Sequence, residues 1–128
     1  MTDPWPERVA CRLEQLPDPG VREFFVGEGD WPFRGIVVRR HGEVHAYANV
    51  CPHQRHPLNL AEDDFLVTFG GQGLALRCAS HGALFVPETG LCVAGPCSGR
   101  ALRPLECRVV GGEVLVRAPD QWAVNEAP

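Results

Sequence analysis

The chain has no apolar run of the roughly 20 residues that a membrane-spanning helix needs, so no membrane anchor is expected. It has no basic start followed by an apolar segment, so a secretory signal is not expected either. It also has no basic excess: the formal net charge is −4, whereas nucleic-acid binding favours a clustered basic face. These absences predict a cytoplasmic protein whose partners include neither a membrane nor a nucleic acid.

Catalytic signatures are missing as well. The sequence has no nucleotide-binding glycine loop and no mononuclear iron triad, and its 128 residues leave little room for a substrate pocket beside a cofactor. With 45% hydrophobic and 22% charged residues, the chain can bury the modest core of one domain. We therefore expect a single domain over residues 1–128, with a tail of little structure at about 118–128, and not a standalone enzyme.

Turn-forming residues are abundant, since 14 glycines and 12 prolines separate short apolar runs. This pattern is typical of an all-β protein, and no segment shows a convincing helical apolar stripe. Hairpin turns are predicted at 41–43 and 111–112, and a further turn at 87–90. The predicted strands are 9–13, 21–25, 35–40, 44–49, 66–69, 74–77, 83–85, 101–105, 107–110 and 113–117.

Two short motifs each place one cysteine close to one histidine: Cys51 with His53, and Cys78 with His81. The C-x-H and C-x-x-H spacings let each loop bend so that both of its side chains point the same way. Pro52 stiffens the first loop by fixing its own φ. Two cysteines and two histidines make a four-ligand metal site. They are the ligand set of a Rieske [2Fe-2S] centre, in which the cysteines hold one iron and the histidines hold the other.

The residues around these motifs resemble those of Rieske proteins. The runs 51–58 and 78–85 resemble the two cluster loops, and the run 89–96 resembles the segment that ends in the proline loop covering the cluster. The resemblance covers roughly residues 9–117. It implies an all-β, three-layer antiparallel sandwich with a small cluster-binding subdomain at about 50–97, and it implies one Rieske [2Fe-2S] cluster as the cofactor.

The departures from the family pattern indicate which Rieske proteins this chain is closest to. High-potential members of respiratory complexes have an extra cysteine in each loop, and those two cysteines form a disulfide. The corresponding positions here are His56 and Ser80, so that bridge is not expected. The chain is therefore more similar to soluble Rieske ferredoxins, and its potential is expected toward the low end of the Rieske range of about −150 to +300 mV.

This resemblance implies a one-electron carrier that passes electrons from a reductase to an oxygenase or other terminal enzyme. Partners are expected to dock at the cluster tip, where Arg55 would orient them, through the small interface of a transient redox encounter. One alternative is a small Rieske subunit of a larger reductase complex. A second is a binding module stabilised by zinc on the same four ligands, although zinc fingers use shorter spacings and a helix.

The other four cysteines are predicted to be structural. Cys11 and Cys107 lie in strand-like runs, where a free cysteine packs as a small hydrophobe. Cys92 and Cys97 have the C-x4-C spacing of a plant-type ferredoxin, but that motif needs a further cysteine where Arg100 stands. For Cys92 and Cys97 a disulfide or redox role stays open as the alternative.

Three histidines lie outside the ligand motifs. His41 falls in a predicted hairpin turn and is expected to be exposed, and His45 falls on a predicted strand in a packed or surface position. His56 is nearest the cluster, where it either has no chemical role or contributes to docking or tuning.

Overall fold

The structure is a computed structural model that describes residues 5–27, 30, 32–52, 56–59, 61, 65–69, 73–79 and 82–119. Its regular elements within these residues are eleven β-strands and one 3-10 turn at Leu13–Gln15. The strands are β1 (Glu7–Arg12), β2 (Gly20–Val26), β3 (Phe33–Arg40), β4 (Glu43–Ala48), β5 (Leu66–Phe69), β6 (Gly73–Arg77), β7 (Leu84–Phe85), β8 (Cys92–Ala94), β9 (Pro104–Leu105), β10 (Cys107–Val110) and β11 (Glu113–Arg117).

The strands form three sheets. The first has the order β1-β11-β10, the second β2-β3-β4-β9 and the third β5-β6-β7-β8. Every pair of neighbouring strands in these sheets is antiparallel. The predicted all-β antiparallel fold is confirmed.

The second sheet lies between the other two, because its strand β3 is buried on both faces. Ile36 and Val38 point into a core shared with the third sheet, and Val37 between them points into a core shared with the first. Successive side chains of a strand alternate between its two faces, so one strand can contribute to both cores. All three side chains are at most 1% exposed. The result is the three-layer arrangement that the family resemblance implied.

Two tight hairpins have the turn geometry that the sequence predicted. His41 and Gly42 join β3 to β4 with φ of 54° and 79°, and the positive values at both positions match a type I′ turn. The Asp18 carboxylate accepts the backbone N–H groups of both turn residues, at 3.1 Å and 2.8 Å. His41 is exposed, as expected. The hairpin between β10 and β11 uses Gly111 and Gly112, also with positive φ.

Nine of the ten predicted strands match observed ones, with ends that differ by at most two residues. The predicted strand at 101–105 is wrong in its first half. Ala101 makes one isolated bridge to Leu91 beside the third sheet, and only Pro104–Leu105 pairs in the second. The segment crosses from one sheet to the other, so neither sheet holds it for five residues. The sequence also missed β8, whose three residues are too few to produce a clear alternating pattern.

The end of the described chain is anchored to its beginning. Ala118 is fully buried and donates its backbone N–H to the carbonyl oxygen of Pro6 at 3.1 Å. Residues 120–128, which make up most of the predicted tail, lie outside the described residues.

Candidate metal centre

Each of the two predicted cysteine ligands lies at the base of a loop that one backbone hydrogen bond closes. Cys51 donates its N–H to the His56 carbonyl oxygen at 2.7 Å, and Cys78 donates to the Ala83 carbonyl oxygen at 2.8 Å. In both loops the cysteine N–H reaches the carbonyl five residues further along the chain. Gly82 adds a bond from its N–H to the Cys78 carbonyl oxygen at 2.8 Å, and it does so with φ of 73°, which favours glycine.

The two loops are joined to each other, and their cysteines share one core. Ala79 of the second loop donates its N–H to the carbonyl oxygen of Leu58 in the first at 2.7 Å. Cys51 and Cys78 are both 0% exposed and belong to the same cluster of buried side chains. No disulfide joins any two of the six cysteines. Two buried cysteine side chains from adjoining loops fit the iron that a Rieske centre holds with cysteine sulfur.

The two predicted histidine ligands, His53 and His81, lie outside the described residues, as do Arg55 and Ser80. Within the described part of the chain, no three side chains of metal-ligating type come together. The complete four-residue ligand set therefore stays a prediction, of which the structure describes the cysteine half.

A third segment packs against both loops. Gly95 follows β8 with φ of 95°, and a Cβ added there would lie 2.8 Å from Cα of Ala83 in the second loop. Further along, Arg100 donates from Nη1 to the carbonyl oxygen of Pro52 in the first loop at 3.2 Å. The segment that resembled a proline loop in the sequence therefore contacts the second cysteine loop through Gly95, and Arg100, four residues beyond it, contacts the first.

A buried polar network holds the far end of the first loop. Asn49 is 0% exposed, and its Oδ1 accepts the backbone N–H of Leu58 at 2.9 Å. Its Nδ2 donates to Glu23 at 2.6 Å and to Asn59 at 2.9 Å. Glu23 in turn pairs with Arg34 through two hydrogen bonds, of 2.7 Å and 3.1 Å. The sequence analysis missed this network; the available signal was an asparagine placed directly after a buried strand and two residues before the first ligand.

Cys92 and Cys97 lie beside the first loop with their sulfurs 3.0 Å apart, and both are 2% exposed. Burial is the main cause that raises the pKa of Cys97 to about 12, and its hydrogen bond with Cys92 adds to it. Burial also raises the pKa of Cys11, which is buried in the other core, and that of half-buried Cys107. Three of these four cysteines are buried and Cys107 is half-buried, which agrees with the prediction that they are structural.

The other two histidines are half-buried. The His45 ring has its Nε2 atom 3.6 Å from a Glu43 carboxylate oxygen. The Nδ1 atom of His56 lies 2.9 Å from the carbonyl oxygen of Pro57, at the end of the first loop. Neither geometry indicates a chemical role for these two side chains.

The three-layer β fold, with two adjoining loops that each hold a buried cysteine, is the arrangement that the family resemblance implied. The family model of the Rieske [2Fe-2S] domain matches residues 7–117, so the chain belongs to the Rieske [2Fe-2S] domain family. A domain of this family carries one [2Fe-2S] cluster that takes up and gives back a single electron, and the chain is accordingly a one-electron carrier.

Relatives with known roles agree with this assignment. The chain is 31% identical over 111 residues to the ferredoxin component of the alkene monooxygenase system of Xanthobacter autotrophicus. The aligned region covers 83% of this chain and 76% of that protein. Its structure is similar to the ferredoxin of carbazole 1,9a-dioxygenase from Nocardioides aromaticivorans IC177, with a TM-score of 0.64 and 28% identity over 88% of this chain and 97% of that one. A carbazole 1,9a-dioxygenase ferredoxin in complex with its oxygenase has the same fold, at 22% identity, with a TM-score of 0.64 over 91% of this chain and 97% of that one.

The described residues include no helix long and apolar enough to cross a membrane.

Proposed function

We propose that Cys51 and Cys78 hold one iron of the cluster, that His53 and His81 hold the other, and that the chain carries electrons from a reductase to an oxygenase. The observation that carries this proposal is the pair of closed loops, each with a fully buried cysteine in the same core. Their closure keeps both sulfurs on the buried side.

Neutral imidazole in place of two thiolates makes a Rieske cluster less negative than one held by four cysteines, which makes its reduction easier. Cys51 and Cys78 need only supply thiolate sulfur, because the cluster itself takes up the electron. The surrounding apolar side chains exclude water from the cysteine side. We therefore assign electron exchange to the histidine side of the loops, near exposed Gly82, Gly95 and Pro96.

The proposed acceptor is an oxygenase, and the likeness to the ferredoxin component of an alkene monooxygenase system supports it. Contact at the loop tip would bury a small area, which suits a carrier that must leave one partner before it meets the next. We further propose that the chain works as a single domain in the cytoplasm and as a component of an oxidoreductase system, not as a catalyst by itself. Six cysteines without a disulfide are in keeping with a reducing compartment.

The first experiment is a low-temperature EPR spectrum of the purified protein before and after dithionite, together with iron, sulfide and zinc analysis. We expect a silent oxidised form and a rhombic signal after reduction, with an average g value below that of the free electron. Protein that contains zinc, lacks iron and gives no signal would overturn the proposal in favour of a zinc-stabilised binding module.

Ligand assignment is tested by single substitutions. Cys51→Ser, Cys78→Ser, His53→Ala and His81→Ala should each lose the Rieske EPR signal, whereas Cys107→Ser should keep it, because Cys107 packs in the other core. A normal signal in any of the four would remove that residue from the ligand set.

The carrier is distinguished from a subunit of a larger reductase by affinity purification from its native cells at low salt. A carrier elutes alone or with trace partners, whereas a subunit elutes with a large partner in equal amount.

A further inference from the structure

The C-x4-C pair of Cys92 and Cys97 has no part in the proposed function, yet the fold brings its two sulfurs together. Cys92 is the first residue of β8, and Cys97 lies in the turn that follows this strand. The thiol of Cys97 donates to the sulfur of Cys92 across 3.0 Å. A disulfide bond measures about 2.0 Å, so a closer approach of about 1 Å would join the two sulfurs.

Backbone hydrogen bonds hold both cysteines in place. The N–H of Cys92 donates to the carbonyl oxygen of Arg100 at 2.8 Å, and the carbonyl oxygen of Cys92 accepts the N–H of Gly99 at 3.2 Å. The carbonyl oxygen of Cys97 accepts the N–H of Arg100 at 2.9 Å. Because the backbone around both residues is already ordered, joining their side chains costs little further conformational entropy.

Both thiols are only 2% exposed, but the layer that covers Cys97 is thin. The residues on either side of it in the turn are exposed: Gly95, Pro96, Ser98 and Gly99. An exposed segment with few buried side chains opens locally at a low free-energy cost. A small oxidant such as hydrogen peroxide needs less opening than a bulky disulfide reagent does, so a peroxide is the co-reactant that suits this pair.

We propose that Cys92 and Cys97 are a redox-sensitive pair that a small peroxide converts into a reversible disulfide. One sulfur attacks the O–O bond of the peroxide, which forms a sulfenic acid and releases one water molecule. The second sulfur displaces the sulfenic oxygen as another water molecule, and the S–S bond forms. In total the two thiols lose two electrons and two protons, and the hydrogen peroxide becomes two water molecules.

The disulfide would constrain a segment that contacts both cysteine loops. Gly95 lies in this segment against Ala83 of the second loop, and Arg100 at its end donates to the carbonyl oxygen of Pro52 in the first. A disulfide restricts the unfolded chain more than the folded one, so the oxidised protein should unfold at a higher urea concentration than the reduced protein.

The test is a peptide map of the purified, loaded protein after exposure to hydrogen peroxide in molar excess. Buried thiols react slowly, so the exposure continues until half of a free methionine tracer in the same solution has become sulfoxide. Remaining thiols are then blocked with N-ethylmaleimide in denaturant. Cleavage after arginine and glutamate releases the peptide 89–100, which contains Cys92 and Cys97 and no other cysteine, methionine or tryptophan.

This peptide should carry no maleimide and should weigh two hydrogens less than its reduced form. Treatment with dithiothreitol before blocking should restore both thiols. In Cys97→Ser, where Cys92 has no partner, the same peptide should gain oxygen instead, and its urea midpoint should not rise on oxidation. Cys11→Ala, at a buried cysteine of the other core, should behave as the wild type does.

A wild-type peptide that keeps both thiols through the exposure would overturn the proposal. Oxygen addition without an S–S bond would overturn it too, as would a bond from either cysteine to Cys51 or Cys78. If the variants fail to fold, the wild-type map decides alone.

The inference is independent of the ligand assignment, because neither cysteine is among the four proposed ligands. A missing Rieske EPR signal would mean that the proposed function has failed, whereas an intact signal in protein without the disulfide would mean that only this inference has.

Discussion

The side-chain oxygen of Asn49 accepts the backbone N–H of Leu58 at 2.9 Å, and both residues are fully buried. This one bond ties the end of the first cysteine loop to the residue that follows β4 in the middle sheet. Through its amide nitrogen Asn49 also contacts Glu23 of β2, so the loop is held by the sheet beneath it.

Replacing Asn49 with alanine should therefore destabilise the protein by about 2 kcal/mol, because it leaves the buried Leu58 N–H without its acceptor. The measurement is the urea midpoint of the loaded protein, followed at the visible absorbance of the cluster. Ser98→Ala is the control, because it removes an exposed hydroxyl that donates to Gly95 at 3.0 Å, and it should cost under about 0.5 kcal/mol. Equal midpoints for the two variants would contradict the proposed anchoring.

Gly95→Ala and Gly99→Ala form a matched pair that isolates the contact between the proline-loop segment and the second loop. Both glycines have similar φ, 95° and 90°, so the backbone cost of alanine is comparable. Only at Gly95 would the new Cβ lie 2.8 Å from Cα of Ala83, since nothing lies within 4 Å at Gly99.

We expect Gly99→Ala to lose about 1 kcal/mol, and Gly95→Ala to lose at least about 1 kcal/mol more and to release its cluster faster. The measurements are the urea midpoint and the rate of absorbance loss in the presence of a chelator. Identical values for the two variants would show that the contact with Ala83 is not a tight one.

Tyr47→Phe should destabilise the protein by about 1 kcal/mol without changing the potential of the cluster. The buried hydroxyl of Tyr47 donates to the carbonyl oxygen of Pro87 at 2.8 Å, at the start of the turn before β8. Burial raises the pKa of Tyr47, so the hydroxyl remains a donor through the neutral and mildly alkaline range and the loss should be the same at pH 7 and pH 9. Denaturation of both proteins at the two pH values checks this, and a loss that appears at only one of them would be inconsistent with a neutral donor.

The pair Glu7 and Arg108 should make stability depend on pH. Glu7 of β1 accepts two hydrogen bonds from Arg108 of β10, of 2.7 Å and 2.8 Å, across the intervening strand β11. The hydrogen bond with Arg108 is the main cause that holds the pKa of Glu7 below its ordinary value of 4.5. A carboxylate with a lowered pKa in the folded state stabilises the fold above the ordinary value, and this contribution disappears as the pH falls through the lowered one.

The melting temperature of Glu7→Gln should therefore lie below that of the wild type at neutral pH, and the gap should close below pH 4.5. The gap should be small because the pair is at the surface. In an Arg108→Gln background Glu7→Gln should have little effect at any pH. A gap that persists unchanged in that background would assign the effect to something other than this pair.

The fold was predictable because nearly every strand is a short apolar run between turn-forming residues, and because the motifs around Cys51 and Cys78 are specific to one family. The turns at His41–Gly42 and Gly111–Gly112 were predictable from the short sequence of each turn alone. A two-residue hairpin turn of this type needs positive φ at both positions, and glycine adopts positive φ readily. The strand at 92–94 and the crossing segment at 101–103 were not, because what determines them is pairing with distant parts of the chain.

The parts of the site that the sequence did not reveal are tertiary contacts. No local pattern connects Asn49 to Glu23, which is 26 positions away in the sequence, or Arg100 to the carbonyl oxygen of Pro52, which is 48 positions away. The ligand motifs were visible because their function fixes their spacing, whereas the groups that support them are placed by the packing of separate sheets.

The alternation of Ile36, Val37 and Val38 between two cores sets a limit on how this protein can vary. A strand with one solvent-exposed face can accept a polar residue at every second position with little loss of stability. The centre of β3 has no such position, because both of its faces are buried. A change there that suits the layer carrying the cysteine loops must also suit the neighbours on either side, which face the opposite layer. Substitutions can therefore accumulate independently in the two outer sheets, whereas substitutions in the centre of β3 must be compatible with both cores at once.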